Sequence, residues 1–288
     1  GACLADDMGL GKTVQALALL QLLKEEGRKG TTLVVTPKSL IFNWMREAKR
    51  FTPQLKVLSY TGLKRTSAFE NLSDYHIVLT TYGTVRRDAD KLAEFRFLYV
   101  ILDEAQAIKN AESQNAKAAT LLQGDRRLIL SGTPVENHLG ELWSLFDFLN
   151  PGLLGSARAF TRVTREMAAG GDPHYGPLRS LVQPYILRPL KTDGRVIADL
   201  PDKTEVRAFC SLTRKQVGLY QQAVRELEGR LGATEGIERR GAILATLLRL
   251  KQICNHPSQW LGDGGWAPEH SGKFARLAEL VEELAARQ

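Results

Sequence analysis

Leu4-Ala5-Asp6-Asp7-Met8-Gly9-Leu10-Gly11-Lys12-Thr13-Val14-Gln15 is the stretch on which the reading of this chain turns. Apolar residues precede it and an apolar helical pattern runs on from Val14 to Leu23, which predicts a strand, a glycine-rich turn and a helix start. In such a turn successive backbone N–H groups and the positive end of the helix dipole surround a phosphate. A lysine then reaches the β- and γ-phosphates, and a Ser or Thr hydroxyl holds Mg²⁺. Lys12 and Thr13 stand at the spacing for those tasks, Gly9 and Gly11 allow close backbone approach, and Asp7, Met8, Leu10 and Val14 complete the expected wrap. Asp6 occupies the place of the first Gly in G-x-x-x-x-G-K-[ST], so a plain glycine-rich turn is the competing reading of this stretch alone.

Working outward, strand-like runs alternate with helical ones. Thr31 to Thr36, Leu55 to Tyr60, Ile77 to Tyr82, Phe97 to Asp103 and Arg127 to Ser131 are short and rich in β-branched or apolar residues. This alternation predicts an α/β fold, a parallel sheet with helices on both faces and ligands at the carboxyl ends of the strands. One such end carries Asp103 and Glu104. Paired carboxylates there suit a nucleotide site, with Asp103 on the Mg²⁺ side and Glu104 as the base that orients or deprotonates water. Carboxylates that only decorate the first turn of a helix are the alternative, and Lys12-Thr13 upstream weighs against it. The next strand leads into Ser131-Gly132-Thr133-Pro134, a loop placed to sense the nucleotide or simply a turn.

Composition narrows the class. The 288 residues fit one large domain with part of a second, and the hydrophobic (43%) and charged (25%) fractions are those of a folded globular chain. No apolar run nears the roughly 20 residues a bilayer span needs, and no signal segment opens the chain. Cys3, Cys210 and Cys254 are widely spaced and odd in number; we expect no disulfide and no zinc site, each acting as a small buried hydrophobe. A net charge of +7 is compatible with a polyanionic partner without requiring one.

Together the motifs carry a family likeness. The Leu4–Thr13 stretch, Thr36-Pro37-Lys38-Ser39-Leu40 with Asn43-Trp44, Thr80-Thr81-Tyr82, Asp103-Glu104-Ala105-Gln106 with Ile108-Lys109-Asn110, and Leu130-Ser131-Gly132-Thr133-Pro134 resemble motifs I, Ia, Ib, II and III of the Swi/Snf ATPases of helicase superfamily two. Asp at the first P-loop position is what that family shows. Glu141 to Leu149, Tyr185 to Arg188, Arg249 to Pro257 and Ser271-Gly272-Lys273 extend the likeness along nearly the whole chain. Pro189 departs from it where a second arginine is usual, and Gln106 replaces the commoner histidine, as in bacterial or archaeal members.

The resemblance implies a RecA-like lobe over residues 1–150, a helical protrusion and linker over 151–270, and the start of a second lobe from 271. It implies ATP and Mg²⁺ as cofactors and sequence-independent double-stranded DNA as partner, with a DNA-bound complex such as RNA polymerase as a second candidate. Expected DNA contacts are Pro37, Lys38, Ser39, Thr80, Thr81 and Tyr82, and expected coupling residues are Gln106, Ser131, Gly132 and Thr133. Trp44 is expected in the core, Arg86-Arg87 and Arg239-Arg240 on solvated surface, and His256 away from any metal role. Motifs IV, V and VI, with their arginine fingers, would lie beyond Gln288, so a fragment with little stimulated turnover is expected. Location would be cytoplasmic and nucleoid-associated in a bacterium, nuclear in a eukaryote. A strand-separating helicase and a nucleotide-gated adaptor are the alternatives. Past Pro151 helices are expected over 157–169, 178–187, 214–231, 241–253 and 273–286, with one strand-like run from Glu205 to Leu212.

Overall fold

The structure is a computed structural model, and it describes residues 1–62, 65–135, 138–169, 175–189, 207–231 and 236–286. They fall into two compact units, within Gly1–Pro201 and within Asp202–Gln288. In the first unit seven strands form one sheet: β1 (Ala2–Leu4), β2 (Thr32–Thr36), β3 (Val57–Ser59), β4 (Ile77–Thr81), β5 (Arg96–Asp103), β6 (Gln123–Leu130) and β7 (Ile186–Leu187). Their order is β3-β4-β2-β5-β6-β1-β7 and every pairing is parallel, so all carboxyl ends lie along one edge.

Strands covered on both faces should read as nearly unbroken apolar runs, and β2, buried at all five residues, does. Alternate side chains supply two cores. Leu4, Val34, Leu79, Ile101 and Leu130 pack with Leu17 and Leu20 of α1 (Lys12–Glu25) and with Trp44 and Ala48 of α2 (Ile41–Phe51). Cys3, Val35, Val78, Leu102 and Ile129 face the other way, toward Tyr82 and Val85 of α4 (Tyr82–Arg87), Leu92 of α5 (Ala89–Glu94), Ala119 of α6 (Gln114–Leu121) and Phe148 of α7 (Leu139–Leu149). The short α3 spans Arg65–Ala68. Good helix formers carry α1 until Gly27, whose φ of 74° ends it in the left-handed turn typical of helix C-termini.

A third cluster joins Leu142 and Phe146 of α7 to Phe160 of α8 (Ala157–Ala169) and to Leu178 and Val182 of α9 (Gly176–Val182). The helix expected over 178–187 stops at Val182, because Pro184 offers no N–H to continue it. The chain makes one 3₁₀ turn and then adds β7 to the sheet beside β1, pairing Cys3 with Ile186 and Leu4 with Leu187. Two residues are too few for the apolar alternation by which strands are recognised.

The second unit is helical: α10 (Arg214–Leu231), α11 (Gly236–Asn255), α12 (Pro257–Leu261) and α13 (Gly272–Ala285). Residues 207–212 hold no strand, against expectation; Glu205 and Val206 lie outside the described residues. Fully buried Gln216 donates to the carbonyls of Ile253 (2.8 Å) and Cys254 (3.2 Å) and accepts from the Gly272 amide (3.2 Å), tying three helices at one point. Both His256 ring nitrogens meet backbone, and the ring lies 5.0 Å from Trp266 and from Phe274.

The cysteines divide. Cys3 is buried, its thiol pushed up to about 12 by burial, whereas Cys254 is half-buried and Cys210 exposed, so the expectation of three buried hydrophobes is corrected for two of them. Among the described residues no helix is long and apolar enough to cross a membrane. Leu102 is fully buried in the strand that ends at Asp103. Leu102→Ala is expected to cost about 2–5 kcal/mol in urea denaturation with a cooperative transition retained.

Candidate nucleotide site at the carboxyl edge of the sheet

After β1 the chain buries Ala5 and Asp6 and then turns through Asp7–Leu10 into α1. Gly9 (φ 87°) and Gly11 (φ 76°) hold left-handed backbone that a side chain would strain. No side chain caps α1 and its first turn carries no acid, so the opening N–H groups keep their capacity for an anion. The Lys12 ammonium donates to the carbonyls of Asp6 (2.8 Å) and Asp7 (3.4 Å), within the loop. This donor set fits a nucleotide phosphate: an uncapped helix start, two glycines and a lysine.

Asp6 has a structural task here. Its Oδ2 accepts from Gln15 Nε2 at 2.7 Å, and the same nitrogen reaches the Leu10 carbonyl at 3.0 Å, bracing the loop against the first turn of α1. Thr13 is half-buried at that turn.

The carboxylates stand two strands from β1, across β6. Asp103 is level with Leu130 of β6, and Leu130 with Leu4 of β1. The Asp103 carboxylate is buried and takes three donors: Oδ1 from the Glu104 amide (3.0 Å), Oδ2 from Thr36 Oγ1 (2.9 Å) and from Trp44 Nε1 (2.8 Å). Burial raises its pKa above the usual carboxylate value, while the Trp44 and Thr36 hydrogen bonds pull it back down. Trp44 is thus in the core, as expected, but with its indole N–H on the Asp103 carboxylate, a role that no spacing in the sequence signals.

Glu104 has φ 49° and ψ 58° and is the one non-glycine residue with positive φ among those described. Left-handed backbone in a residue with a long side chain is strained, and such strain clusters at working sites. The conformation turns the chain sharply out of β5 into a 3₁₀ turn, Ala105–Ile108, and leaves the Glu104 side chain half-buried beside Asp103.

Behind this turn the Ile108 carbonyl accepts from Ser144 Oγ (2.5 Å) and buried Lys109 pairs with Glu141 (3.4 Å), so α7 is bolted to the segment after the carboxylates. Ser131 is buried, its amide on the Leu4 carbonyl (3.1 Å). Gly132 lies so close to the P-loop that a Cβ there would sit 3.3 Å from Met8 Cγ, whereas Thr133 and Gln106 are exposed at the same edge. Glu136 and Asn137 are outside the described residues.

The residues expected on DNA separate by burial. Lys38 and Ser39 are exposed and Pro37 is half-buried. Thr80 is buried and donates to the Tyr60 carbonyl (3.0 Å); Tyr82 is buried and donates to the Asp103 carbonyl (2.7 Å). In this conformation neither hydroxyl is available to a phosphate, which corrects the expectation for these two side chains. Thr81 is half-buried and caps α4, accepting from the Thr84 amide at 3.2 Å.

The family model of the SNF2-related domain matches residues 1–259, and the chain belongs to that family. YwqA of Bacillus subtilis (strain 168), which carries the name ATP-dependent helicase/translocase, is 39% identical over 99% of this chain and 32% of its own length. The chromatin-remodeling ATPase INO80 of Candida glabrata is 32% identical over 98% of the chain and 21% of its own length. The chain therefore spans about a third or less of these relatives. Among solved structures, the Sulfolobus solfataricus SWI2/SNF2 ATPase core in complex with dsDNA is 41% identical and superposes with a TM-score of 0.66, covering all of this chain and 60% of that one. The fold is that of the SWI2/SNF2 ATPase core, with a RecA-like parallel sheet.

The backbone at Glu104 makes a direct test of strain. Glu104→Gly is expected to be more stable than Glu104→Ala by about 1 kcal/mol in chemical denaturation, because only glycine accepts this φ without penalty. Equal stabilities would show that the position is unstrained.

Proposed function

We propose that this chain is the nucleotide-binding lobe of an ATP-dependent translocase on double-stranded DNA. The observation that carries the reading is the shared edge: an uncapped P-loop helix with Lys12 at its start, and Asp103 and Glu104 at the end of a parallel strand in the same sheet. Phosphoryl transfer asks a protein mainly for positioning and charge, which is what this edge offers.

In this reading Lys12 exchanges the carbonyls of Asp6 and Asp7 for phosphate oxygens, while the opening amides of α1 and the turn Asp7–Val14 hold the rest of the phosphate chain. Thr13 and Asp103 are the residues that would hold Mg²⁺; magnesium is usually bound by one or two carboxylates plus substrate rather than by a cage of protein ligands. When bound, the ion neutralises charge on the phosphates. Glu104 accepts a proton from, or orients, the attacking water. Ser131-Gly132-Thr133 and Gln106 follow β6 and β5 on this edge and respond to the state of the loop, the small space between Gly132 and Met8 being the physical link.

The DNA side rests on Pro37-Lys38-Ser39 and the half-buried Thr81, which follow β2 and end β4 on the same edge. Hydroxyls, amides and one ammonium bind phosphates without reading bases, giving salt-sensitive, sequence-independent affinity. The relatives, named as an ATP-dependent helicase/translocase and a chromatin-remodeling ATPase, support ATP-driven work on DNA.

In the full-length protein Glu104→Gln is expected to lower ATP turnover in the presence of duplex DNA by about 10²–10⁴-fold, the range for a lost general base, with nucleotide binding retained. Turnover equal to the wild type would remove Glu104 from that role. Lys38→Ala is expected to weaken duplex binding equally across unrelated sequences and to shallow its salt dependence by about one unit of slope, read by fluorescence anisotropy.

A further inference from the structure

Resting on the nucleotide and DNA readings above, we infer that Trp44 and Thr36 are positioning residues that fix how the Asp103 carboxylate is presented to a metal ion, and that Trp44 carries the state of the DNA edge to it. A carboxylate offers about four lone-pair sites. Three are engaged in this structure: one on Oδ1 by the Glu104 amide, and two on Oδ2 by Thr36 Oγ1 and Trp44 Nε1. Oδ2 is the anchored oxygen, and the open site is on Oδ1. The carboxylate cannot rotate about its bond to Cβ without breaking two hydrogen bonds in a buried setting, where unmade bonds are costly.

Both donors come from the segment that presents Lys38 and Ser39. Thr36 is the last residue of β2; in the register Val35 pairs with Leu102, which brings Thr36 beside Asp103. After Pro37 the chain makes a 3₁₀ turn, Lys38–Leu40, that runs straight into α2, and Trp44 lies one turn along. Phe42 and Met45 of α2 point to solvent, whereas Trp44 is 1% exposed and its N–H is spent on Asp103. A rigid helix links the exposed edge to the carboxylate, so a displacement of Lys38-Ser39 by phosphate moves the indole and changes how Asp103 is held. Groups that orient a metal ligand in this way are worth about 10- to 100-fold in metal affinity.

The test uses the full-length protein and a fluorescent ADP analogue, titrated with Mg²⁺ in the presence and absence of duplex DNA. Trp44→Phe keeps the buried ring and removes the N–H; Thr36→Val keeps the shape and removes the hydroxyl. Each is expected to weaken Mg²⁺ binding to the nucleotide complex by about 10-fold while leaving Mg²⁺-free nucleotide affinity within twofold. Thr36→Ser, which restores the donor, is expected to recover it. Duplex DNA is expected to shift the Mg²⁺ affinity of the wild type and to leave that of Trp44→Phe unchanged. Wild-type Mg²⁺ affinity in both variants, or equal losses with and without Mg²⁺, overturns the positioning role. A full duplex-dependent shift in Trp44→Phe overturns the coupling. A wild-type protein that binds no Mg²⁺-nucleotide overturns the nucleotide reading and the inference with it, whereas normal wild-type binding with unaltered variants overturns the inference alone.

Discussion

An ionised carboxylate held inside a protein costs several kcal/mol unless hydrogen-bond donors replace its water, and much of this lobe is arranged around meeting that demand at Asp103. Thr36 arrives from the neighbouring strand, Trp44 from α2, and the Glu104 amide from a backbone bent into the left-handed region. Tyr82, at the start of α4, holds the Asp103 carbonyl as well. Two stretches far from it in sequence, Thr36 to Trp44 and Tyr82, therefore meet at Asp103 beside its own neighbour Glu104. The burial that makes the carboxylate expensive also makes its position precise.

The uniformly parallel sheet is what lets these segments meet. Each connection returns the chain to the opposite edge before the next strand begins, so β1, β2, β4, β5 and β6 all deliver their following residues to the same side. Where the backbone must turn more tightly than ordinary residues allow, glycines take the strain at the P-loop and Glu104 takes it at the carboxylates. On the far side of Glu104, Lys109–Glu141 and the Ser144–Ile108 hydrogen bond tie the turn to α7, whose Leu142 and Phe146 face α8 and α9. The segment after the carboxylates is thereby joined through α7 to the helical cluster.

Much of this was legible in residue order. The apolar runs marked β2, β4, β5 and β6, and glycine spacing with Lys12-Thr13 marked the turn from β1 into α1, because each is a local pattern with a local cause. The α10 helix was readable end to end from its own composition. Two-residue β7 was not, since its pairing comes from the edge of β1 rather than from any propensity of Ile186-Leu187. Tyr82 and Thr80 looked like surface contacts because a polar atom in a sequence does not say whether its partner will be water or a buried carbonyl.

By itself the sequence determined the kind of fold, the glycine-rich turn before α1 and the two carboxylates at a strand end, since strand periodicity, turn glycines and adjacent acids are each local patterns. Tertiary structure alone decided how those pieces serve one another: that Asp6 braces Gln15, that Trp44 spends its N–H on Asp103, and that Gly132 faces Met8 with little room for a side chain. These are contacts between residues 9, 59 and 124 positions apart. Over the two longer separations, hydrogen bonds and close approaches depend on where the sheet places strand ends, a property of the packed chain that no local stretch contains.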